Sequence, residues 1–429
     1  MAQVKLESEL HKDIHHFITS SFSLSPDKGR EGVKTDPVWR RLRDLGTELW
    51  LDTGNIDDIG QLWTDEFSAV TVNNTLLNKE VQTGQYDSLV SKAVGLLSGY
   101  PSLGERQKVL EMAFILNAWH GLRLVDAFNA YVSVEEHTIL AHDADLAVEY
   151  AKRFHAVCPE RFIIKIPFTP AGLLATRRLS GQGIPVNHTL GFSARENYVI
   201  ARIGRPAYVN VFLGRLNSFI MENRLGNGNY VGEKAVLASQ KAVKQLREAG
   251  KTASRQIGAS FRAGQQVKDL AGIDVMTMPP KVAKEFLSEV GDPDEIKDMS
   301  NEEYIPGLDK ETDPEGIRID TLWDIDEKLV ACMDAIDKEK LEDFTPDDLV
   351  SFFKDYGCGD VLVRWNESQI ATSKDEGKIP KLDNWRDALA GKSIGLDSLM
   401  NLAGLNSFTT DQEEMDNRVK AVWEKTLKG

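Results

Sequence analysis

Residues 162–173, Phe-Ile-Ile-Lys-Ile-Pro-Phe-Thr-Pro-Ala-Gly-Leu, set one lysine inside an apolar run that ends in a helix-start signal. A short run of this kind followed by Thr169-Pro170 reads as a buried β-strand passing directly into a helix. Threonine caps a helix N-terminus, and proline fits the first helical position. Gly181 and Gly183 can end that helix, and another β-rich run follows at once. Side chains alternate along a strand, so Lys165 and Ile163 share one face while Ile164 and Ile166 share the other. With the aliphatic pair turned towards covering helices, Lys165 points inward. Burial among apolar groups disfavours the ammonium and leaves an amine able to attack a ketone near neutral pH. Taken alone, Lys165 fits a buried structural ion pair equally well.

Working outward from this strand, the chain repeats the pattern eight times. Strands are expected at Glu48–Asp52, Ser68–Asn73, Ala130–Glu135, Phe162–Ile166, Pro185–Thr189, Ala207–Phe212, Gln256–Ser260 and Val275–Pro279. Each is separated from the next by enough chain for a crossover, which predicts an α/β fold, a (β/α)8 TIM barrel, with a doubly wound open sheet as the competitor. Leu6, Leu10, Ile14, Phe17 and Ile18 recur at helical spacing, so residues 1–46 read as an N-terminal helical leader. Residues 47–290 read as the barrel and residues 291–429 as an acidic segment and C-terminal helical extension. In that extension, residues 291–326 read as a solvated linker and Thr345-Pro346-Asp347-Asp348 as a helix start.

The 429 residues, 41% of them hydrophobic, suffice for a full core, and a net charge of -15 opposes binding to nucleic acid or an anionic membrane. Cys158, Cys332 and Cys358 form neither a paired motif nor a disulfide framework, which fits a reducing, cytoplasmic setting. The N-terminus is polar, and neither a signal peptide nor a membrane span is expected. No metal site is expected. His11, His15 and His16 give one i,i+4 pair without a third ligand and read as a solvated face, and the acidic run from Asp309 to Glu315 lacks calcium-loop spacing. Gly226 to Gly232 misses dinucleotide-loop spacing by one residue and reads as a flexible loop near the barrel mouth.

A barrel gathers the C-terminal ends of its strands at one mouth. Those ends carry Asp52, Asn73, Glu135, Lys165, Asn187 and Thr189, six polar residues from five strands. Asp52 or Asn73 alone would read as a loop cap. The sixth strand adds Asn210 and Phe212 on one face, with Arg215 just beyond, and the seventh adds Ser260 and Arg262. Two guanidinium groups and a hydroxyl at the mouth can bind a phosphate through charge-assisted hydrogen bonds. His188 alternates away from Asn187 and Thr189 and reads as structural.

The segments LDTGNIDDI (51–59), AVTVNNTLL (69–77), YVSVEE (131–136), FIIKIPFTPAGL (162–173), GIPVNHTLGFS (183–193), FLGR (212–215) and IGASFR (257–262) resemble, in order, the strand-end motifs of the transaldolase family. The resemblance covers about residues 46–290. It implies transfer of a dihydroxyacetone unit from sedoheptulose 7-phosphate or fructose 6-phosphate to glyceraldehyde 3-phosphate or erythrose 4-phosphate, as in the pentose phosphate pathway, with no cofactor. It implies that Lys165 is the Schiff-base lysine and Asp52 the acid/base at the C4 hydroxyl. Glu135 with Thr189 would hold a proton-relaying water, Asn73 and Asn187 would bind the dihydroxyacetone hydroxyls, and Arg215, Ser260 and Arg262 the phosphate. Asn210 and Phe212 would face the substrate, and the resemblance suggests a homodimer.

Two departures stand out. The family commonly has Thr-Asn-Pro where this chain has Val72-Asn73-Asn74, and serine where it has Asn210. The first removes a φ constraint behind Asn73, and the second puts a larger amide at the substrate-facing rim. A related fructose 6-phosphate aldolase type has Gln at the Glu135 position and Tyr at the Phe212 position, so both residues here favour transfer. A noncatalytic sugar-phosphate binder would have lost Lys165 or Asp52, and both are present.

Overall fold

The computed structural model describes residues 8–24 and 33–428. Eight parallel strands close, in sequence order, into a barrel: β1 Glu48–Asp52, β2 Phe67–Thr71, β3 Tyr131–Glu135, β4 Phe162–Pro167, β5 Val186–Thr189, β6 Tyr208–Phe212, β7 Arg255–Ala259 and β8 Val275–Met278. β8 pairs with β1, so no edge is left open and the doubly wound alternative is excluded. Strand ends differ from the expected bounds where local chemistry intervenes. β2 stops at Thr71, because the Asn73 side chain accepts the Leu76 N–H at 2.8 Å and caps the helix Asn74–Gln82. β7 stops at Ala259, because Ser260 turns the chain with φ +67°. Thr169 caps the helix Pro170–Ser180 as expected, accepting the Gly172 N–H at 2.9 Å.

Register decides which side chains meet. Glu135 lies opposite Lys165 across β3 and β4, Lys165 lies opposite Asn187 across β4 and β5, and Asp52 lies opposite Thr71 across β1 and β2. At the other end of the barrel Glu48 pairs with Arg255 and accepts the Ser68 hydroxyl at 2.7 Å, while Trp50 packs edge-on against Tyr208 with ring centroids 4.7 Å apart. Charge at that end is therefore neutralised locally, which separates its role from that of the mouth.

The leading helix, Glu9–Thr19, buries Leu10, Ile14 and Ile18 and lays Phe17 against Trp119; Leu6 falls outside the described residues. Its histidines are not simply a solvated face, since His11 Nε2 is 3.5 Å from Glu149 and His15 is half-buried. The segment after residue 290 is also less solvated than its acidity suggests: Ile296, Ile317, Ile319 and Leu322 are all buried. It pins the glycine-rich stretch, with Gly226 bridging to Leu308 and Tyr230 stacking on Tyr304, so that stretch is not a free loop. The expected helix start at Thr345 is present as a reciprocal cap with Asp348 on the helix Pro346–Asp355. None of the described helices is long and apolar enough to cross a membrane.

The C-terminal helix, Leu396–Lys428, has 33 residues and so spans about 50 Å. It crosses the barrel mouth from the β4 and β5 side to the helices after β2. At its start Asn401 Nδ2 donates to the carbonyls of Phe168 and Leu190, at 3.2 and 2.9 Å. Further along, Asp411 accepts from the Thr75 hydroxyl, Glu414 from Asn78 at 3.1 Å, and Arg418 donates to Asp87 at 2.7 Å. Its first turn is fixed by a buried network. Arg195 donates to both oxygens of Asp397 at 2.7 Å, Ser193 donates to the same carboxylate, and Asp360 bridges Arg195 to Arg318.

Asp397 is fully buried, so deleting its carboxylate leaves the buried Arg195 guanidinium with Asp360 alone and the Ser193 hydroxyl without its acceptor. We expect Asp397→Ala to lower unfolding stability by about 3–5 kcal/mol in urea titrations. The double replacement Arg195→Met/Asp397→Leu should cost less. A loss below about 1 kcal/mol for Asp397→Ala would show that the network does not anchor the helix.

Candidate active site

A cavity of about 200 Å³ opens at the C-terminal end of the strands. Nine of the eleven residues singled out from sequence line it: Asp52, Asn73, Lys165, Asn187, Asn210, Phe212, Arg215, Ser260 and Arg262. Glu135 and Thr189 do not. Glu135 is buried beside Lys165, only 2% exposed, and Thr189 is fully buried with its hydroxyl unpartnered among the described residues.

Lys165 is 4% exposed, and its Nζ sits 3.7 Å from Glu135 Oε1. Its surroundings are thus less apolar than the strand sequence implies, because a carboxylate from the neighbouring strand shares the burial. Burial pushes the Glu135 carboxyl above its usual range, opposed by Lys165 and by the Asn74 backbone N–H, which donates to Oε2 at 2.9 Å. Burial likewise raises the Asp52 carboxyl, offset by Lys165, by the Thr71 hydroxyl at 3.1 Å and by Arg262. Carboxyls raised in this way beside an amine hold a proton to higher pH than ordinary carboxylates and can serve as acid and base.

A polar ladder continues round the wall. Asn210 Nδ2 donates to Asn187 Oδ1 at 3.1 Å, and Asn187 Nδ2 donates to the Ser133 hydroxyl at 3.1 Å. On the other side the Thr71 and Thr277 hydroxyls are 2.5 Å apart. Ser133, Thr71 and Thr277 escaped the sequence reading. The first two lie two residues before Glu135 and Asn73, on the inward face by alternation, and that spacing was the available signal. His188 is turned outward, bonded to Thr176 at 2.9 Å, and burial pushes it down to about 3, consistent with a structural role.

The cationic corner is built by close backbone approach. Arg215 lies in the first turn of the helix Leu213–Glu222, buried, with Nη1 unpartnered among the described residues. Burial and the nearby Arg262 push its guanidinium down to about 10. Asp411 and Glu135 act on this guanidinium from a distance, and among the described residues none forms an ion pair with it, so its unbonded N–H can take an anion. Phe408, from the C-terminal helix, covers both Lys165 and Arg215, each cation 5.5 Å from its ring centre, and Lys378 from the extension also lines the cavity. Neither carries a sequence signal tying it to the mouth. Among the described residues no cluster of His, Cys, Asp and Glu could hold a metal ion.

Gly214 sets the spacing of this corner, because a Cβ there would lie 2.2 Å from the Ser260 carbonyl oxygen and 2.7 Å from Arg262 Cγ. Gly214→Ala is expected to cost about 1–3 kcal/mol of stability and to weaken binding of inorganic sulfate about tenfold or more, measured by calorimetry. Gly60→Ala, where nothing lies within 4 Å of the added carbon, serves as the control. Equal behaviour of the two variants would remove Gly214 from the site.

The sequence model of the transaldolase/fructose-6-phosphate aldolase family matches residues 49–347. Among curated proteins, the chain is 26% identical over 308 residues to a transaldolase of Xanthomonas euvesicatoria pv. vesicatoria, covering 70% of this chain and 93% of that protein. It is 30% identical over 244 residues to a probable transaldolase of Thermus thermophilus, covering 56% of this chain and 90% of that protein. The family match spans β1 to β8, so the same strands that build the mouth carry the likeness: the chain belongs to the transaldolase/fructose-6-phosphate aldolase family of enzymes.

Proposed function

We propose that the protein is a transaldolase that moves a dihydroxyacetone unit from sedoheptulose 7-phosphate or fructose 6-phosphate to glyceraldehyde 3-phosphate or erythrose 4-phosphate, as in cytoplasmic pentose phosphate metabolism. The observation that carries the reading is a buried Lys165 amine lining the same cavity as Asp52 and a buried Arg215 whose Nη1 has no hydrogen-bond partner among the described residues. The names of the curated relatives support it.

In this mechanism the Lys165 amine attacks the ketone carbon and, after loss of water, forms a protonated Schiff base. Asp52 takes the C4 hydroxyl proton, the C3–C4 bond breaks, and its electrons flow to the nitrogen. An aldose phosphate leaves and a three-carbon enamine stays on Lys165. The enamine carbon then attacks the acceptor aldehyde, and the steps reverse. Glu135 and Thr189 hold a water that relays protons between the amine and the departing oxygen. Asn73 and Asn187 hold the dihydroxyacetone hydroxyls, and Asn210 and Phe212 bound the substrate. Arg215, Ser260 and Arg262 hold the phosphate.

Borohydride reduction in the presence of fructose 6-phosphate should fix the three-carbon unit on Lys165, located by peptide mass, and Lys165→Ala should abolish both adduct and turnover. An adduct on another lysine overturns the assignment.

The second reading, an aldolase that releases free dihydroxyacetone, is disfavoured by Phe212 and Glu135. Phe212 has no hydroxyl with which to position a water for enamine protonation, and Glu135 can be charged where the aldolase type has a neutral amide. Phe212→Tyr should therefore raise glyceraldehyde 3-phosphate release without acceptor relative to transfer. Rapid release by the wild type would favour the aldolase, and an unchanged ratio in Phe212→Tyr would reduce Phe212 to packing.

A further inference from the structure

The two oxygens of Glu135 have different tasks. Oε1 faces the Lys165 amine at 3.7 Å, while Oε2 accepts the Asn74 backbone N–H at 2.9 Å. Asn74 opens the helix Asn74–Gln82, so its N–H is one of the groups that the helix itself leaves unbonded, at the end where the helix dipole favours negative charge. Its side chain is fully buried, and Nδ2 donates to the Glu136 carbonyl at 3.1 Å, locking the peptide between Glu136 and His137. One residue thus ties the start of this helix to the end of β3 twice.

We infer that Asn74 is a positioning residue: its main-chain N–H holds one oxygen of Glu135 so that the other is presented to the Lys165 amine throughout the reaction. The kinetic consequence rests on the Schiff-base reading above. The charged and titratable groups facing Glu135 are Lys165 from β4, Asp52 from β1 and Arg215 from the helix after β6, with Glu136 next in the chain. Asp52 opposes the charge on Glu135, and burial pushes the Glu136 carboxyl well above its usual range. When the carbon–carbon bond breaks, electrons reaching the nitrogen neutralise the positive charge on Lys165, and its attraction for Glu135 is lost at that step. The Asn74 N–H, a fixed main-chain dipole, does not change. Proline would suit the first turn of a helix but has no N–H to give, so residue 74 decides whether this bond exists.

The test compares Asn74→Pro, which deletes the N–H, with Asn74→Ala, which keeps it. Glu135 must be ionised to accept protons, so activity falls as pH drops through its titration, and losing a donor to the charged form moves that fall to higher pH. We expect the acid limb of kcat/KM, measured with fructose 6-phosphate and erythrose 4-phosphate, to move up by about one pH unit in Asn74→Pro, a tenfold change in the proton equilibrium. Asn74→Ala should keep the wild-type midpoint. Infrared titration of the protonated carboxyl band that disappears in Glu135→Gln should give the same ordering without any substrate. If Asn74→Pro does not fold, the α-hydroxy acid analogue at position 74 removes the N–H alone. Identical midpoints in the variants that keep and lack the N–H overturn the inference. Absence of a borohydride adduct in the wild type would instead overturn the Schiff-base reading, while the infrared comparison still decides the role of Asn74.

Discussion

An amine buried inside a closed barrel must have its positive charge compensated, and the rest of the mouth follows from that requirement. Lys165 is compensated by Glu135, which is itself desolvated and whose charged form is favoured by the lysine and the Asn74 N–H. Asp52 repeats the arrangement with Thr71 and Arg262. Each buried charge therefore hands its cost to a neighbour on the adjoining strand, and the chain of compensation ends in main-chain dipoles and hydroxyls that cannot titrate. This compensation fits the proposed Schiff-base step, in which one nitrogen gains and loses positive charge.

Parallel register makes this possible with single residues. Glu135, Lys165 and Asn187 occupy one row because β3, β4 and β5 pair there without a shift. A one-residue slip of any strand would turn its polar residue into the helical layer. The row is continued by Asn210 through Asn187, which gives the Asn210 amide a structural task besides facing the cavity.

Much of this was legible in the sequence, and the limits have identifiable causes. β1 has the expected bounds and all eight strands occur at the expected places, because short apolar runs bounded by caps and turns leave few alternatives. Inward-facing Asp52, Lys165, Asn187 and Asn210 followed from alternation. Asn73 and Ser260 lie beyond their strands, since a capping side chain and a left-handed turn end β2 and β7 earlier than hydrophobicity alone suggests. Glu135 points inward by alternation but is buried beside Lys165 without lining the cavity, which only three-dimensional packing settles. Phe408 and Lys378 were illegible: a helix that is polar on one side and buried on the other carries no mark of which barrel end it will cover.

The path of that helix has a consequence for how the molecule is made. Its partners Thr75, Asn78 and Asp87 lie more than 300 positions upstream, with separations of 336, 336 and 331 residues for the contacts to Asp411, Glu414 and Arg418. Contacts this remote in sequence form late, after the entropy of closing a long loop has been met. During synthesis the strands can pair and the barrel can close while Lys165 and Arg215 still face open solvent, without Phe408 above them. Lys165 and Arg215 would therefore stand uncovered for as long as translation of the extension lasts, and the helix Leu396–Lys428 closes over a pocket whose strands have already been made.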